Sequence, residues 1–590
     1  MDNSDRKRKP LRRLINVARG RDRADLHIRN CRIVDVFNKE VFESDVYIVD
    51  GMIAGYGEDW FPEAREVFDA KGMYLVPGFI DSHLHIESSH LSPAEYSRLV
   101  VPCGTTTVIA DPHEIVNVCG LDGFDYMLEA SKKLPLSVFL QVPSCVPCTP
   151  FENAGATILA KDIAKRIKNP RVLGLGEMMD FVGVCSARDE VLDKLLVAKK
   201  AGKVIDGHYM GFDPRLDAYS AAGISTDHEC SHPEEMHNRI RRGMYVLLRQ
   251  GTACHDLVNL VKGMTKGNTD RCLLCTDDCA AKTMVEIGHI DNNVRMAIAE
   301  GVDPIDAICM ATINAAQCYR LDDRGAVAPG RRADLLLLSS LDKDFKVVEV
   351  FTAGRHVASH RKYLGKPVHA PIDKVSGRMN VKNLSPQRFA LKLKSNHVRV
   401  IKILPGSVVT DETEAWVDLD QNGFWQRNDD DIVKIAVVER HKGTGNIGVG
   451  LITGLNIRNG AVATSIAHDS HNIIVAGDND RDMCLAVEEL VRLGGGMTVV
   501  ASGKVVESVQ HEIAGLMTDL PGEVVAKKLA SIIETARREL GISGGVDPFM
   551  TLCFMSLVVI PHIKITDMGL FDLKKYDFVP LEIEETETLQ

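Results

Sequence analysis

Residues 74–89 read YLVPGFIDSHLHIESS, an apolar run closed by a cluster of hydrogen-bonding side chains. The run Tyr74–Ile80, bounded by turn chemistry at Lys71-Gly72, reads as a β-strand. Strand side chains alternate in direction, so His83 and His85 face the same way, two imidazoles able to grip one cation. Seven similar runs follow: Thr105–Ala110, Ser137–Val142, Val172–Gly176, Val204–Asp206, Ile224–Thr226, Tyr245–Leu248 and Cys272–Cys275. Segments of helical period separate them. Strands alternating with helices predict parallel βα units, and eight units in roughly 250 residues is the size of a closed (β/α)8 barrel. We place that barrel at 77–324.

In such a barrel the carboxyl ends of the strands meet on one rim, where these folds carry their active sites. Strand one delivers His83 and His85, strand four Glu177, strand five His208, strand six His228 and strand eight Asp277. Six nitrogen and oxygen donors without an obligatory thiolate suit Mn2+, Fe2+ or Zn2+. Glu177 is placed to bridge two ions. Two metals about 3.5–4 Å apart would supply hydroxide near neutral pH, with Asp277 both a ligand and the acceptor of the water's proton. Any one of these residues taken singly is more often core or surface furniture. The ordered set at successive strand ends carries the metal reading.

Around the barrel, β-like segments at Leu26–Asp35 and Val46–Tyr56 find counterparts at Ala333–Leu338 and Val347–Ala353. They predict one small β-sandwich domain, 25–76 with 325–380, into which the barrel is inserted. A basic extension, 1–24, precedes it. From 381 to 590 the text changes to strands with glycine-rich turns and helices at Asp480–Leu493 and Glu523–Leu540, a separate α+β domain. The Glu-rich end, Glu582 to Glu587, reads as a solvated tail.

Composition narrows the partners. With 81 acidic against 70 basic side chains the net charge is −11, which disfavours a field that gathers phosphates, so no nucleic-acid partner is expected. The longest apolar stretch, Phe549 to Ile560, spans 12 residues and is too short to cross a bilayer. The basic N-terminus leads into no apolar signal core, which predicts a cytoplasmic protein without a membrane partner. Fifteen cysteines, an odd number, predict reduced thiols. The divided β module and the extra domain offer surfaces for a homodimer.

The run PGFIDSHLHIESS, 77–89, resembles the signature of the amidohydrolase superfamily, and its continuation HIESS is similar to that of the long bacterial adenine deaminases. VPCGTTTVIADPHEIVNVCG (101–120), LGLGEMMD (173–180), GHYMG (207–211), STDHE (225–229), CTDD (275–278) and FMSLVVIPHIKITDMGLFD (554–572) resemble the same family in order. The resemblance implies hydrolysis of adenine to hypoxanthine and ammonia at a binuclear site, with Mn2+ first and Fe2+ or Zn2+ as alternatives. It makes His83, His85, Glu177, His208, His228 and Asp277 the ligands. Many amidohydrolases bridge their metals with a carboxylated lysine on strand four. Arg171–Asp180 contains none, so Glu177 fills that place.

Hydroxide attack on the amino-bearing carbon of adenine requires protons for a ring nitrogen and for the departing amine. Glu87, Asp111, His113 and Glu114 are the candidate acids, although the Asp-Pro-His-Glu loop reads equally as a turn held by Asp111 and Pro112. Ser88, Ser89 and Arg249 are candidate substrate-binding residues. Two other functions stay open: an amidohydrolase acting on another aminopurine or a cyclic amide, and a metabolite-binding scaffold without turnover.

Several motifs are discounted. Gly443-Thr444-Gly445-Asn446-Ile447-Gly448 fits a dinucleotide fingerprint but leads into strand-like VGLITG. His85-Ile86-Glu87 mimics the zinc nucleobase deaminases but lacks their downstream PCxxC. Cys145/Cys148 and Cys272/Cys275 have zinc-like spacing, yet the second pair lies on a strand where residues three apart face opposite ways. His468-Asp469-Ser470-His471 can bind metal, reach the site or form a capped turn, and the turn is the preferred reading.

Overall fold

The computed structural model describes residues 3–57, 64–210, 215–405, 407–428 and 431–583; most of the Glu-rich tail lies outside the described residues. Eight parallel strands form its centre: β1 (Phe79–Leu84), β2 (Thr105–Ala110), β3 (Ser137–Val142), β4 (Val172–Met178), β5 (Val204–Gly207), β6 (Thr226–Asp227), β7 (Tyr245–Arg249) and β8 (Cys272–Cys275). β1 to β5 pair in sequence, as do β6 to β8. Two seams close the ring. Ser225 N–H donates to the Ile205 carbonyl at 3.0 Å between β5 and β6, and Asp277 exchanges bonds with His83 and His85 (3.1 and 3.3 Å) between β8 and β1. The result is the expected (β/α)8 barrel.

Period-two alternation fills it. Ile80, Ile109, Leu173, Val204, Leu247, Leu273 and Cys275 cluster inside with Tyr319, while Val108, Leu140, Leu175 and Leu274 pack outward on the helices. Cys272 joins the outer cluster and Cys275 the inner one, so the two thiols face apart.

The predicted strand Tyr74–Ile80 is divided. Tyr74–Pro77 belongs to an outer nine-stranded sheet, and the barrel begins at Phe79. The break falls where Pro77 has no N–H to donate and where a Cβ on Gly78 would stand 2.2 Å from Thr106 Oγ1, a distance only glycine avoids. The outer sheet joins Leu26–Asp35, Glu40–Val49, Met52–Tyr56 and Tyr74–Pro77 to Leu335–Leu338 and Val347–Thr352. It folds on itself, with the Phe68 and Phe351 rings edge to face at 5.2 Å. The single segment expected at Val46–Tyr56 is a hairpin turning at Asp50-Gly51. The basic N-terminal segment is a helix, Asn3–Ala18, with Val17 buried under Tyr47 and Val49 and Arg13 bonded to Asp25 at 2.6 Å.

The C-terminal unit is an eight-stranded sheet with helices at Asp480–Leu493 and Gly522–Leu540. The glycine motif at 443–448 runs into the strand Ile447–Thr453, not a helix. This unit covers the barrel rim. Thr518 and Ser92 exchange bonds with His90 and Thr518 carbonyls (3.0 and 2.9 Å), and Asn153 donates to Asp567 at 3.0 and 2.7 Å. Among the described residues no helix is long and apolar enough to cross a membrane.

Lys564, on Ile563–Thr566, is fully buried with its amine donating to the Val408 carbonyl at 3.0 Å. Burial pushes that amine down to about 7. The folded state therefore binds fewer protons than the unfolded chain from about pH 7 to the ordinary lysine value near 10.4, and stability rises with pH across that window. Lys564→Met should flatten the rise of Tm between about pH 7 and 9.5 seen by scanning calorimetry. A slope equal to that of the unaltered protein would contradict the assignment.

Candidate metal centre

The end of β1 carries two buried imidazoles with different tethers. His85 Nδ1 donates to the Asp111 carbonyl at 2.8 Å, which leaves Nε2 with its lone pair turned toward Glu177 Oε1 (3.3 Å) and Asp277 Oδ1 (3.2 Å). His83 is fully buried and neither ring nitrogen has a hydrogen-bond partner; its Nε2 lies 3.7 Å from Asp277 Oδ1 and its Nδ1 3.7 Å from Asp206 Oδ2.

Glu177, at the end of β4, faces two sets of rings. Oε1 is 3.3 Å from both His85 Nε2 and His113 Nδ1; Oε2 is 2.7 Å from His208 Nδ1 and 3.3 Å from His228 Nε2. Its backbone is pinned, because Glu177 N–H donates to Asp111 Oδ2 at 3.0 Å. That contact depends on glycine next door, where a Cβ on Gly176 would meet Asp111 Oδ2 at 2.0 Å. Asp277 sits at φ 55° just past β8, with Oδ2 bonded to Arg249 at 3.0 Å and Oδ1 toward His83 and His85.

The donor atoms of His83, His85 and Glu177, of His83, His228 and Asp277, and of Glu177, His208 and His228 each lie within 4.8 Å of one another. An orphaned buried imidazole and two carboxylates turned toward imidazole lone pairs fit divalent cations. Burial opposes charge on His208, but Glu229 and Glu177 outweigh it and raise the ring to about 9. A cation entering this cluster therefore displaces protons.

Above the cluster is a cavity of about 410 Å³. The barrel rim forms one side, and Val408, Phe554, Leu557 and Ile560 of the C-terminal unit form the other.

Residues 74–357 match the amidohydrolase family, and 407–577 match the adenine deaminase C-terminal domain. Adenine deaminase 2 of Desulfotalea psychrophila is 53% identical over 97% of this chain and 99% of its own length. Adenine deaminases of Nitratidesulfovibrio vulgaris strain DP4 and Ligilactobacillus salivarius are 50% and 46% identical, each over 97% of this chain and 99% of their own. The chain belongs to the adenine deaminase family. It is a metal-dependent hydrolase of the amidohydrolase type.

All six strand-end residues of the family motifs meet at one place. The remaining candidates divide. His113 and Glu114, at the start of the helix His113–Cys119, line the cavity. Asp111 lies beneath, holding Glu177 through Oδ2 and His85 through its carbonyl. Glu87 does not line the cavity: Oε1 accepts from Ile115 N–H at 3.2 Å, and burial beside Glu114 raises the carboxyl to about 7. Ser89 is also removed from substrate, since Oγ donates to the Ile86 carbonyl at 2.6 Å and accepts from Leu91 N–H inside its own turn. Ser88 bonds Asp278 and Glu114, both in the cavity wall. Arg249 reaches the cavity but is engaged by Asp277, Glu229 and Asp256, so its fork is not open to a ligand.

Sequence reasoning passed over Glu229 and Asp278, which line the cavity beside His228 and Asp277. Residues 468–470 form the expected turn, closed by His471 N–H on the Ala467 carbonyl at 2.7 Å and by Ala467 N–H on His471 Nδ1 at 3.2 Å, and the turn also meets the barrel rim. His468 Nδ1 is 3.2 Å from Glu114 Oε1, and Asp469 Oδ1 is 3.8 Å from His113 Nε2. This segment reaches the site.

Gly176→Ala should force Asp111 from Glu177, lower the divalent metal retained after dialysis and cost about 1–3 kcal/mol of stability. Metal analysis by plasma mass spectrometry checks it, and full retention would refute the pinning role.

Proposed function

We propose that the protein hydrolyses adenine to hypoxanthine and ammonia at a pair of divalent cations, with Mn2+ preferred and Fe2+ or Zn2+ compatible with the same donors. The observation that carries the reading is Glu177, whose two oxygens serve two separate imidazole sets inside a cavity shaped jointly by barrel and C-terminal unit. Relatives that bear the adenine deaminase name over 99% of their length supply the substrate. His83, His85, Asp277 and Glu177 Oε1 would hold one cation, and His208, His228 and Glu177 Oε2 the other. When bound, such a pair supplies Lewis acidity that makes water nucleophilic near neutral pH.

The chain's own groups handle the protons. Asp277, with Oδ2 tied to Arg249, keeps Oδ1 turned into the cluster, where it takes a proton from the attacking water and delivers it to the departing amine. Addition at the amino-bearing carbon gives a tetrahedral centre, and the ring nitrogen beside it needs a proton in turn. His113 stands between Glu177 Oε1 and Asp469 Oδ1, two carboxylates that favour its charged form, and Glu114 is next to it on the wall. These are the groups to supply that proton. Collapse breaks the carbon–nitrogen bond and releases ammonia, and as the carbonyl of hypoxanthine forms, the hydroxyl proton returns to the acid that protonated the ring. One water is consumed for each adenine.

Mn2+-loaded protein should release ammonia from adenine in a coupled assay, and its failure to do so would overturn the reading. Asp277→Asn should keep the fold and lower kcat by about 10²–10⁴-fold, the range of a lost general acid–base. Glu177→Gln should lose bound metal as well as turnover, which mass spectrometry of dialysed samples reports independently of activity.

A further inference from the structure

The C-terminal unit lines the cavity mostly with apolar side chains, and two ionisable ones, His468 and Asp469, are set among them beside Glu114 and His113 of the rim. His468 is engaged. Its ring stacks on Phe554 at 4.7 Å and 17°, and its Nδ1 lies 3.2 Å from Glu114 Oε1. Asp469 is held differently. Its side chain is 4% exposed, Oδ1 stands 3.8 Å from His113 Nε2, beyond hydrogen-bond range, and Oδ2 has no hydrogen-bond partner. A buried carboxylate oxygen left unpaired is costly, and in the wall of a ligand cavity it marks a place for a donor.

An ionised carboxylate only accepts hydrogen bonds. Apart from the amino group that is lost, adenine as a free base has one ring donor, the N–H of its five-membered ring; its other ring nitrogens are acceptors. The reacting carbon lies in the six-membered ring and must sit over the Glu177–Asp277 cluster. That leaves the five-membered ring to meet the side chains the C-terminal unit contributes to the cavity, Asp469 among them.

We propose that Asp469 accepts the five-membered-ring N–H of the purine and thereby selects the free base over purines substituted at that nitrogen, nucleosides included. The proposal rests on a purine base being the substrate, and it gives the C-terminal unit a direct part in substrate choice. A site built to pair a substrate N–H rejects analogues that lack it, because its own acceptor is then buried unpaired.

The test compares adenine with 9-methyladenine in the full-length, Mn2+-loaded protein and in its Asp469→Ala and Asp469→Asn variants. Binding of hypoxanthine and 9-methylhypoxanthine is measured by calorimetry on the same samples. The unaltered protein should favour adenine in kcat/KM, and hypoxanthine in binding, by at least about tenfold, the lower end of a charge-assisted hydrogen bond. Asp469→Ala should lose that preference: whatever both bases lose through His113, kcat/KM for adenine should fall at least about tenfold further than for 9-methyladenine, through a higher KM. Asp469→Asn, whose carboxamide oxygen still accepts, should recover part of it. Equal loss on both substrates would show that Asp469 acts through His113 and overturn the proposal, as would an unaltered protein indifferent to the methyl group. If no ammonia is released from either base, the deaminase reading fails, while the calorimetric comparison still decides the role of Asp469.

Discussion

One glutamate, turned two ways, organises the site. Glu177 lies at the end of β4 with each carboxylate oxygen committed to different imidazoles, and its buried charge is tolerable only if positive charge stands close on both sides. The fold meets that demand with backbone as well as side chains. Asp111 fixes Glu177 through its carboxylate and His85 through its carbonyl, so the loop after β2 sets the position of groups from β1 and β4. Gly176 is the space that makes this possible. Arg249 has the corresponding part on the far side, clamping Asp277 with Glu229 and Asp256.

A barrel rim alone is an open bowl. Here the C-terminal unit stands over it and gives the cavity apolar side chains, Val408, Phe554, Leu557 and Ile560, against the polar rim. The closing contacts are polar and specific. Asn153 meets Asp567, the His90 carbonyl meets Thr518, and Glu114 meets His468. The two parts of the chain therefore share one network of hydrogen bonds, and the chemistry on the rim depends on residues some 350 positions downstream along the chain.

The barrel and its donors were legible because both follow from short-range rules. β2, β3 and β8 have the expected bounds, and the ligand-type residues stand where period-two alternation ends each strand. What escaped was set by contacts that no periodicity encodes. The break at Gly78 is imposed by Thr106, a neighbour in space on β2. Glu87 and Ser89 looked available because they adjoin His85, but a tight turn directs one at Ile115 and the other at its own backbone. Arg249 looked like a ligand-binding cation until three carboxylates surrounded it. His468 and Asp469 do lie in the expected turn, but its contact with Glu114 and His113 was not legible, because docking between distant parts of a chain leaves no local trace.

The strand that leads into the barrel and the strand that leads out of it are partners, with Pro77 opposite Leu335 and Tyr74 opposite Leu338. The chain thus enters and leaves the eight-stranded body through one doorway. During synthesis the first strands of the outer sheet must wait, with an edge unpaired, until more than two hundred further residues have emerged and the return strand arrives. Completion of the barrel is in this sense the latch on the smaller sheet, and damage that keeps the ring from closing would be felt first as an exposed edge in a part of the molecule that carries no chemistry.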